Sequence, residues 1–477
     1  MLSYHAQTIA RDYPLELRDV YEAAAATLRI PYWDWAVNYA LPNVTTTTTL
    51  TINTPNGIEA IANPLLQYDF PVDMVASGYF PSEITTSKYP RTVRWPDPVT
   101  ETSSEAAASN ALMGSSAVTV SKVYELFTAV DNYTQFAAYK LGDSNNNGTN
   151  LERIHGTIHN NVGCPYNLGN FGWGHMTVFP LSAFDPIFWL HHANVDRVVA
   201  IWQTLYPDSY VEPVLNQAGT YFQPPNSTDT TDTPLPPFHS DTGSTMWTAA
   251  TVRDTATFGY TYPELIDWNV SASDLAVTVR QKVNKLYNPD PGQRTNSSLR
   301  RRGRRNTNIA QAMSNIDGKT ALELGANNMK TQWYLKITIE GRAVERRMAV
   351  YLFIGEPSSP VQTWSAATNL IGVHTHLTPV DQLEDSVTPT QYDNIPCTHT
   401  VAAAIDRGLL STSNSDQVVS FLAEHVAVRM HDSNGVEVDS GSRAGVMVTI
   451  LSRSIRPRES ISDFPAYGAF EEHGHVQ

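Results

Sequence analysis

The chain has 477 residues, a formal net charge of −15 and 41% hydrophobic residues, so it is long enough for two domains with ordinary cores. The acidic balance argues against a nucleic-acid partner. No apolar run approaches the roughly 18–20 residues of a membrane-spanning helix, which predicts a soluble protein without a membrane partner. The two cysteines, Cys164 and Cys397, cannot form a disulfide framework.

Helix-forming and loop-forming segments alternate through the first half of the chain. Segments 15–28 and 121–139 are rich in strong helix formers and predict helices. Segments 80–110 and 213–245 are rich in Ser, Thr and Pro and predict loops. The pattern favours a mainly α-helical core wrapped by long loops.

Two histidines stand four residues apart, at positions 155 and 159. Residues i and i+4 of an α-helix lie on one face, with Cβ atoms about 5–6 Å apart. His155 and His159 can therefore bind the same metal ion.

A second helix is predicted from Asp185-Pro186, which is typical of an N-cap followed by a first-turn proline. That helix would carry His191 and His192 about two turns in. The spacing leaves open which of the two is a ligand, because adjacent helical residues point about 100° apart. Imidazoles without a carboxylate or thiolate ligand favour copper or zinc.

The residues around these histidines carry a family resemblance. Segments 154–160 (Ile-His-Gly-Thr-Ile-His-Asn) and 182–197 (Ser-Ala-Phe-Asp-Pro-Ile-Phe-Trp-Leu-His-His-Ala-Asn-Val-Asp-Arg) resemble the second copper site, CuB, of fungal tyrosinases and related polyphenol oxidases. Segment 29–36 (Arg-Ile-Pro-Tyr-Trp-Asp-Trp-Ala) matches a second marker of that family. Segment 259–264 (Gly-Tyr-Thr-Tyr-Pro-Glu) resembles the tyrosine motif that closes its catalytic core.

The resemblance implies a four-helix bundle that holds two copper ions, each bound by three histidines, with O2 bound between them. It implies oxidation of phenols or o-diphenols by O2 to o-quinones, which polymerise to melanin-like pigment. Carried over by position, the CuB ligands are His155, His159 and His192. His191 becomes a buried neighbour of the ligands.

The first copper site of the family, CuA, has no counterpart in this sequence. Its three histidines should precede the Pro-Tyr-Trp-Asp-Trp segment, but His5 is the only histidine before Trp33. His5 matches the helix after the last CuA ligand and is expected at the surface. The expectation is a family member that has lost its N-terminal part and is impaired as an oxidase.

Three further positions bear on the reaction in the family. Glu152 stands where members often place a glutamate that orders a water and helps deprotonate the phenol, although an acid there also suits the first turn of a helix. Phe188 matches the aromatic residue that overhangs CuB, or simply packs in the core. Gly156 replaces an Asn found in many monophenol-hydroxylating members, which favours catechol oxidation.

Other polar residues near the ligands suggest supporting roles. Asn194 and Asp196 lie close after His192 and are expected to orient imidazoles, since a metal-bound histidine usually donates its other N–H to an acceptor. Arg197 is expected to pair with a carboxylate. His175, in a glycine-rich loop, is expected near the rim of the site.

The composition of the chain becomes more polar after residue 268. This position is the predicted end of the copper-binding core, residues 1–268. Residues 269–332 are polar and carry a basic run, which predicts a flexible linker. The run includes Arg304 and Arg305, a candidate processing site, since fungal members are often activated by removal of a C-terminal domain.

Segment 333–458 predicts a β-rich domain. Leu335, Ile337 and Ile339 alternate with polar residues, which predicts a half-buried strand. Segment 348–354 is a continuous apolar run and predicts a more buried strand, and the alternation over 426–430, before an Asn-Gly turn signal, predicts another. By pattern and order it resembles the C-terminal domain of fungal tyrosinases, which covers the copper entrance until it is cleaved. Residues 459–477 are predicted to be a frayed tail.

Two alternatives to an oxidase stay open at this point. Hemocyanins share the copper motif, so the chain could bind O2 without turnover. It could also be a catalytically inactive relative. The first ten residues do not form a signal peptide, and Asn-X-Ser/Thr sequons give only a slight preference for the secretory pathway or an extracellular location.

Overall fold

The computed structural model describes residues 2–82, 84–137, 149–166, 172–216, 219–220, 222–289, 329–340, 348–357, 360–375, 390–411, 414–438 and 445–476. Its α-helices are α1 (Leu2–Ala10), α2 (Leu15–Ala26), α3 (Glu105–Gly114), α4 (Ser116–Thr128), α5 (Tyr133–Ala137), α6 (Leu151–Gly163), α7 (Phe179–Ser182), α8 (Ile187–Leu205), α9 (Ala272–Tyr287), α10 (Thr398–Asp406) and α11 (Ser415–His425).

The strands of the first half form small hairpins, and those of the second half form two sheets. They are β1 (Thr49–Thr54), β2 (Gly57–Ala62), β3 (Val214–Asn216), β4 (Ser227–Asp229), β5 (Pro234–His239), β6 (Met246–Thr248), β7 (Lys330–Ile339), β8 (Ala349–Ile354), β9 (Leu370–Thr375), β10 (Gln391–Pro396), β11 (Val426–His431), β12 (Val446–Arg456) and β13 (Ala466–His475). A helical core followed by a β-rich domain confirms the predicted fold class.

Helices α4, α6, α8 and α9 make up the helical core around one hydrophobic cluster. Helix α6 begins at a side-chain cap, since Asn150 accepts a hydrogen bond from the backbone N–H of Arg153 (2.9 Å). Helix α8 begins where Asp185-Pro186 predicted a helix start, but its cap residue is Pro186, which makes no side-chain cap. Asp185 accepts a hydrogen bond from the N–H of Ile187 (3.1 Å), the first residue of α8.

Helix α9 lies inside the segment predicted to be a flexible linker, so that prediction is wrong for residues 272–287. Val279, Val283 and Tyr287 are at most 1% exposed and pack in the helical core. Their spacing of four residues places them on one face of the helix. Ser271 caps α9 by accepting from the N–H of Asp274. The other residues of α9 are mostly polar, so the average composition of the segment did not indicate a buried helix.

The predicted helix 121–139 is two helices in the described residues, α4 and α5. Helix α4 ends at Thr128, and α5 begins at Tyr133. The Asn132 side chain stabilises the start of α5 by accepting a hydrogen bond from the N–H of Gln135 (3.2 Å). The segment 80–110, predicted to be a loop, contains the start of α3. Segment 213–245 forms β3–β5 and short connections.

The C-terminal domain consists of two antiparallel sheets with strand orders β10-β7-β12-β13 and β11-β8-β9. Leu335 and Ile337 from one sheet and Val350 and Leu352 from the other share a single core with helices α10 and α11. The alternation predicted over 335–339 is present, since Lys336 and Thr338 are less buried than their neighbours.

Residues 459–477 contain an ordered edge strand, so the predicted frayed tail is wrong. Strand β13 pairs with β12 from Thr449↔His475 to Arg456↔Ala466. Its ten residues include two glutamates, two histidines and two glycines, and most of them are exposed. Charged, weakly apolar sequences are typical of edge strands, which explains why no alternation revealed it.

The helical core and the C-terminal domain share a close boundary. Val118 of α4 packs in the core of the C-terminal domain. A Cβ on Gly372 of β9 would come within 3.1 Å of Val118 Cγ2 and 2.6 Å of Ile395 Cγ2, so only glycine allows this close approach.

Arg304 and Arg305, the candidate processing residues, lie outside the described residues. No helix among the described residues is long and apolar enough to cross a membrane.

Candidate metal centre

Four histidines from α6 and α8 converge in the helical core: His155, His159, His191 and His192. One ring nitrogen from each can be chosen so that all four lie within 4.8 Å of one another. His155 and His159 come from one face of α6, one turn apart, as their spacing predicted. The group could hold a metal ion through imidazole nitrogens alone.

The closest approach in the cluster joins His155 Nε2 and His192 Nε2, which are 3.0 Å apart. The Nδ1 of His192 faces the carbonyl of Phe188 at 2.9 Å. A carbonyl only accepts, so this Nδ1 carries the hydrogen and Nε2 carries the lone pair. The lone pair of His192 therefore points at His155.

His159 is held in the same tautomer by a loop. Its Nδ1 donates to the carbonyl of Met176 over 2.6 Å, which leaves the Nε2 lone pair for a metal. The loop comes close because α6 ends in Gly163, where a Cβ would clash with the Thr177 side chain and lie 2.5 Å from Thr177 N. Gly174 donates to the Gly163 carbonyl over 2.6 Å and fixes the approach.

Burial favours the neutral form of three of these imidazoles, those of His159, His191 and His192. Burial lowers the pKa of His159 to about 3 and that of His192 to about 4, and the neighbouring histidines lower both further. Burial also lowers the pKa of His191 well below its ordinary value. Neutral rings keep the lone pairs that metal binding needs.

Copper fits these residues. The lone pair of His192 Nε2 faces another ring nitrogen at 3.0 Å, which suits a cation between them. His159 and His192 each use Nδ1 on a backbone carbonyl, so each can bind a metal through Nε2. A set of neutral imidazoles is a donor set that copper and zinc accept.

Glu152 and Phe188 both border the cluster. Glu152 Oε1 lies 3.5 Å from His155 Nδ1, and its side chain is 61% exposed. The Phe188 ring lies over the His192 ring, with 3.8 Å between centroids, and also contacts His159 at 5.9 Å. Phe188 therefore covers one side of the cluster, while Glu152 stands at its solvent edge.

The structure contradicts the expected roles of Asn194 and Asp196. Asn194 Oδ1 accepts from Arg197 (3.1 Å), and Asp196 accepts from the hydroxyls of Tyr260 (2.7 Å) and Tyr262 (2.5 Å). Among the described residues neither hydrogen bonds to an imidazole. Backbone carbonyls of Met176 and Phe188 orient the rings instead, a role that side-chain patterns could not reveal.

Arg197 pairs with two carboxylates, which confirms its expected pairing with a carboxylate. Its guanidinium donates to both carboxylate oxygens of Glu264 (3.1 and 2.7 Å) and to Asp34 Oδ2 (3.1 Å). The Tyr287 hydroxyl also donates to Asp34 (2.8 Å). Asp34, Arg197 and Glu264 come from the 29–36, 182–197 and 259–264 segments, so this buried network ties those segments together below the cluster.

Two other histidines of the first half of the chain lie outside the cluster. His5 is exposed on α1, as expected. The expectation for His175 is wrong, because this residue is not at the rim but fully buried, and its Nδ1 accepts the backbone N–H of Val93 (3.0 Å). A further buried histidine, His431, lies in the C-terminal domain.

Comparison with known proteins agrees with this arrangement. The common central domain of tyrosinase matches residues 11–205, and the tyrosinase C-terminal domain matches residues 332–450. A tyrosinase of Podospora anserina is 30% identical over 407 residues, covering 77% of this chain and 68% of that protein. A tyrosinase of Neurospora crassa is 33% identical over 292 residues, covering 59% of this chain and 41% of that protein.

Solved structures show the same fold. Recombinant mushroom tyrosinase superposes with a TM-score of 0.76 at 22% identity, covering 99% of this chain and 81% of that one. An Aspergillus oryzae pro-tyrosinase gives a TM-score of 0.66 at 18% identity, covering 98% and 78%. Hemocyanin 2 of Megathura crenulata matches only 12% of this chain.

The chain belongs to the tyrosinase family, whose members are type-3 copper oxidoreductases acting on phenols and o-diphenols with O2. It spans less than half the length of the Neurospora tyrosinase and of polyphenol oxidase 2 from Agaricus bisporus, 41% and 48% respectively.

Proposed function

We propose that this chain binds copper through His155, His159 and His192 and oxidises phenols or o-diphenols with O2 to o-quinones, at an impaired rate because the described residues hold one histidine cluster. The observation that carries the proposal is the convergence of these imidazoles at the positions of the family motif, with the Nδ1–H groups of His159 and His192 on backbone carbonyls. Two o-diphenols would each lose two electrons and two protons, and one O2 would become two waters. Copper, when bound, would supply this redox chemistry.

The residues around the cluster suggest how a phenol would be held. His155 and His192 are partly exposed, whereas His159 and His191 are buried, so a substrate would approach past the first two. Phe188 offers an aromatic face beside His192, against which a phenol ring can pack. Glu152, at the solvent edge, would accept the proton of a phenol hydroxyl.

The preferred substrate class is the o-diphenols. This rests on Gly156, which brings no side chain to the position after His155 on α6. An Asn there would add an amide that could hold a water against Glu152. We expect Gly156→Asn to raise monophenol turnover relative to catechol turnover, measured as the ratio of kcat/KM for the two substrates.

The C-terminal domain would restrict access to this site until the chain is processed at Arg304 and Arg305. Support comes from β9, which contacts the copper-binding helix α6 through Asn160 and Thr375 (2.9 Å). Cleavage of the full chain by a protease specific for paired basic residues should raise catechol turnover. Arg304→Gln/Arg305→Gln should abolish that increase.

The experiment is catechol oxidation by the copper-loaded full chain, followed by O2 uptake and quinone absorbance. We expect turnover that His159→Ala lowers by at least about 10²-fold, since a lost ligand costs more than the 10–100-fold of a lost outer partner. The matched control is His431→Phe, another buried histidine. It should retain activity.

Two outcomes would replace the proposal. Reversible O2 binding by the copper-loaded chain without catechol turnover would indicate a hemocyanin-like carrier. Copper binding with neither O2 binding nor turnover would indicate a catalytically inactive relative.

A further inference from the structure

The connection between β12 and β13 of the C-terminal domain contacts helix α9 of the helical core, and we call its residues 460–464 the clasp. At the centre of this contact lies Asn284 of α9, which is 0% exposed. Asn284 Nδ2 donates to the carbonyls of Ile461 and Asp463 over 2.8 Å each. Asn284 Oδ1 accepts from the hydroxyl of Tyr124 (2.6 Å). An amide has two N–H donors, so both donors of this buried side chain are bound to the clasp.

Two neighbours of Asn284 extend the contact. Arg280 Nε donates to the carbonyl of Ser462 (3.1 Å), and Gln281 Nε2 donates to the hydroxyl of Ser462 (2.8 Å). Positions i and i+4 of a helix lie on one face, so Arg280 and Asn284 present their donors side by side. Helix α9 therefore binds three consecutive carbonyls of the clasp, those of residues 461–463.

The clasp is held in shape by its own hydrogen bonds and by the sheet. The Asp463 carboxylate accepts from the backbone N–H and the hydroxyl of Ser460 (3.0 and 2.7 Å). Both ends of the connection continue into paired strands, since Arg456 of β12 pairs with Ala466 of β13. Phe464 packs against the hydrophobic cluster of the helical core. The C-terminal domain thus places a preformed turn and an aromatic side chain on the helical core.

The clasp connects the two parts of the chain that processing would separate. Helix α9 ends at Tyr287 and β7 begins at Lys330. A cut between these residues leaves α9 in the N-terminal fragment and the clasp in the C-terminal fragment. The two N–H groups of Asn284 would lose their partners if the clasp left α9, and the loss of buried hydrogen bonds opposes that separation.

We propose that the clasp keeps the C-terminal domain bound to α9 after the chain is cut between α9 and β7, so that cleavage and release of the domain are separate steps. The interaction surface is the face of α9 around Asn284, and its partner is the C-terminal fragment. The proposal rests on the proposed function, since it concerns the domain that would restrict access to the copper site. The rise in catechol turnover expected after cleavage then follows the release of the domain and lags behind the cut.

The experiment measures the cut and the release separately. Residues 300–305 of the full chain are replaced by the recognition sequence of a site-specific protease, so that the cut does not depend on natural processing. Denaturing electrophoresis measures cutting, and size-exclusion chromatography under native conditions measures release. We expect the fully cut protein to elute as one particle with the size of the uncut chain. Fragments that separate as fast as the chain is cut would overturn the proposal.

Variants on both sides of the contact test the clasp itself. Arg280→Ala/Gln281→Ala removes two donors of α9, and Phe464→Ala removes the aromatic side chain of the clasp. Each should release the C-terminal fragment at least about tenfold faster than the unmodified cut chain does, which corresponds to about 1.4 kcal/mol. The matched control is Thr278→Ala/Lys285→Ala, at two exposed positions of α9, which should release it at the unmodified rate. Clasp variants that release the fragment no faster than this control would contradict the proposal.

Release is measured without reference to turnover. A cut chain that stays assembled but never oxidises catechol when loaded with copper would refute the proposed function and keep the clasp. A chain that oxidises catechol but separates as soon as it is cut would refute the clasp alone.

Discussion

Lys122 of α4 and Asp393 of β10 form a buried ion pair between the helical core and the C-terminal domain, with 2.6 Å between Nζ and Oδ1. His374 Nδ1 lies 3.1 Å from Asp393 Oδ2 and 3.0 Å from an Arg153 guanidinium nitrogen. Arg153 stands two residues before His155 on α6. The C-terminal domain thus contacts the helix that carries half of the metal cluster.

Asp393 is the centre of this charge group. Burial raises its pKa, but the charges of Lys122 and Arg153 outweigh burial and hold it well below the usual value. Asp393→Asn would leave two buried cations without their carboxylate, so we expect it to lower the free energy of unfolding by about 3–5 kcal/mol. Urea denaturation followed by tryptophan fluorescence measures this loss.

The control is an exposed ion pair in the same domain. Lys336 and Glu472 are 3.3 Å apart, and the Glu472 side chain is 64% exposed. Glu472→Gln should cost less than about 1 kcal/mol. Equal losses in the Asp393 and Glu472 variants would mean that the boundary pair does not stabilise the fold.

Glu105 gives the protein a pH-dependent stability. Burial raises the pKa of Glu105 to about 7, although the positive charge of Arg94 lowers it. Arg94 forms ion pairs with both Glu105 and Asp185. The folded chain then binds a proton between about pH 4.5 and 7 that the unfolded chain releases, so stability falls as pH rises through this range.

Glu105→Gln should remove this fall in the free energy of unfolding, which amounts to about 1–3 kcal/mol. At pH 8 the variant should therefore be more stable than the unmodified chain. Thermal unfolding at pH 5, 6, 7 and 8 checks the slope. Glu101→Gln, at a carboxylate that is 55% exposed in the same region, should keep the slope of the unmodified chain. A Glu105→Gln variant with an unchanged slope would refute the assignment.

Arg197 holds three segments together through two carboxylates. Arg197→Lys keeps the charge but cannot donate to Asp34 and to both oxygens of Glu264 at once. We expect a loss of about 1–3 kcal/mol in unfolding free energy, because buried hydrogen-bond partners are left unsatisfied while the charge is kept. Arg253→Lys, at an exposed arginine over the Tyr210 ring, should change stability by about 0.5 kcal/mol or less. An Arg197→Lys variant as stable as this control would show that the network does not hold the segments.

Gly163 allows the loop that orients His159 to approach α6. A Cβ there would meet the backbone of Thr177, so Gly163→Ala should shift the loop and weaken the Met176–His159 hydrogen bond. We expect a cost of about 1–3 kcal/mol in stability and about 10–100-fold weaker copper binding.

Gly243→Ala is its matched control, because the nearest atom there is a flexible side-chain oxygen at 3.3 Å. That variant should retain both properties. Unchanged copper affinity in Gly163→Ala would show that the loop carbonyl does not set the tautomer of His159.

The sequence predicted the ligand helices because their signals are local. A four-residue spacing places His155 and His159 on one face, and Asp185-Pro186 starts α8. It also predicted the alternating strand around Ile337. The choice between His191 and His192 came only from the family resemblance, since both rings reach the cluster.

The remaining features depend on contacts between distant segments. Met176 orients His159 through a backbone carbonyl, which no residue type encodes. Asn194 and Asp196 lie near the cluster in sequence, but their oxygens accept hydrogen bonds from other groups. Arg197 donates to Asn194, and two tyrosine hydroxyls from another segment donate to Asp196. The four-residue spacing from Val279 to Tyr287 does indicate a helix with one buried face. The prediction of a linker gave more weight to the polar composition of the segment.

The copper content of the loaded full chain shows whether the histidine cluster binds the metal. After loading with Cu⁺ and removal of excess metal, we expect about one copper ion per chain, almost none in His159→Ala, and about one in His431→Phe, because the described residues hold one histidine cluster. Two ions per chain, or a copper content that His159→Ala leaves unchanged, would contradict this expectation.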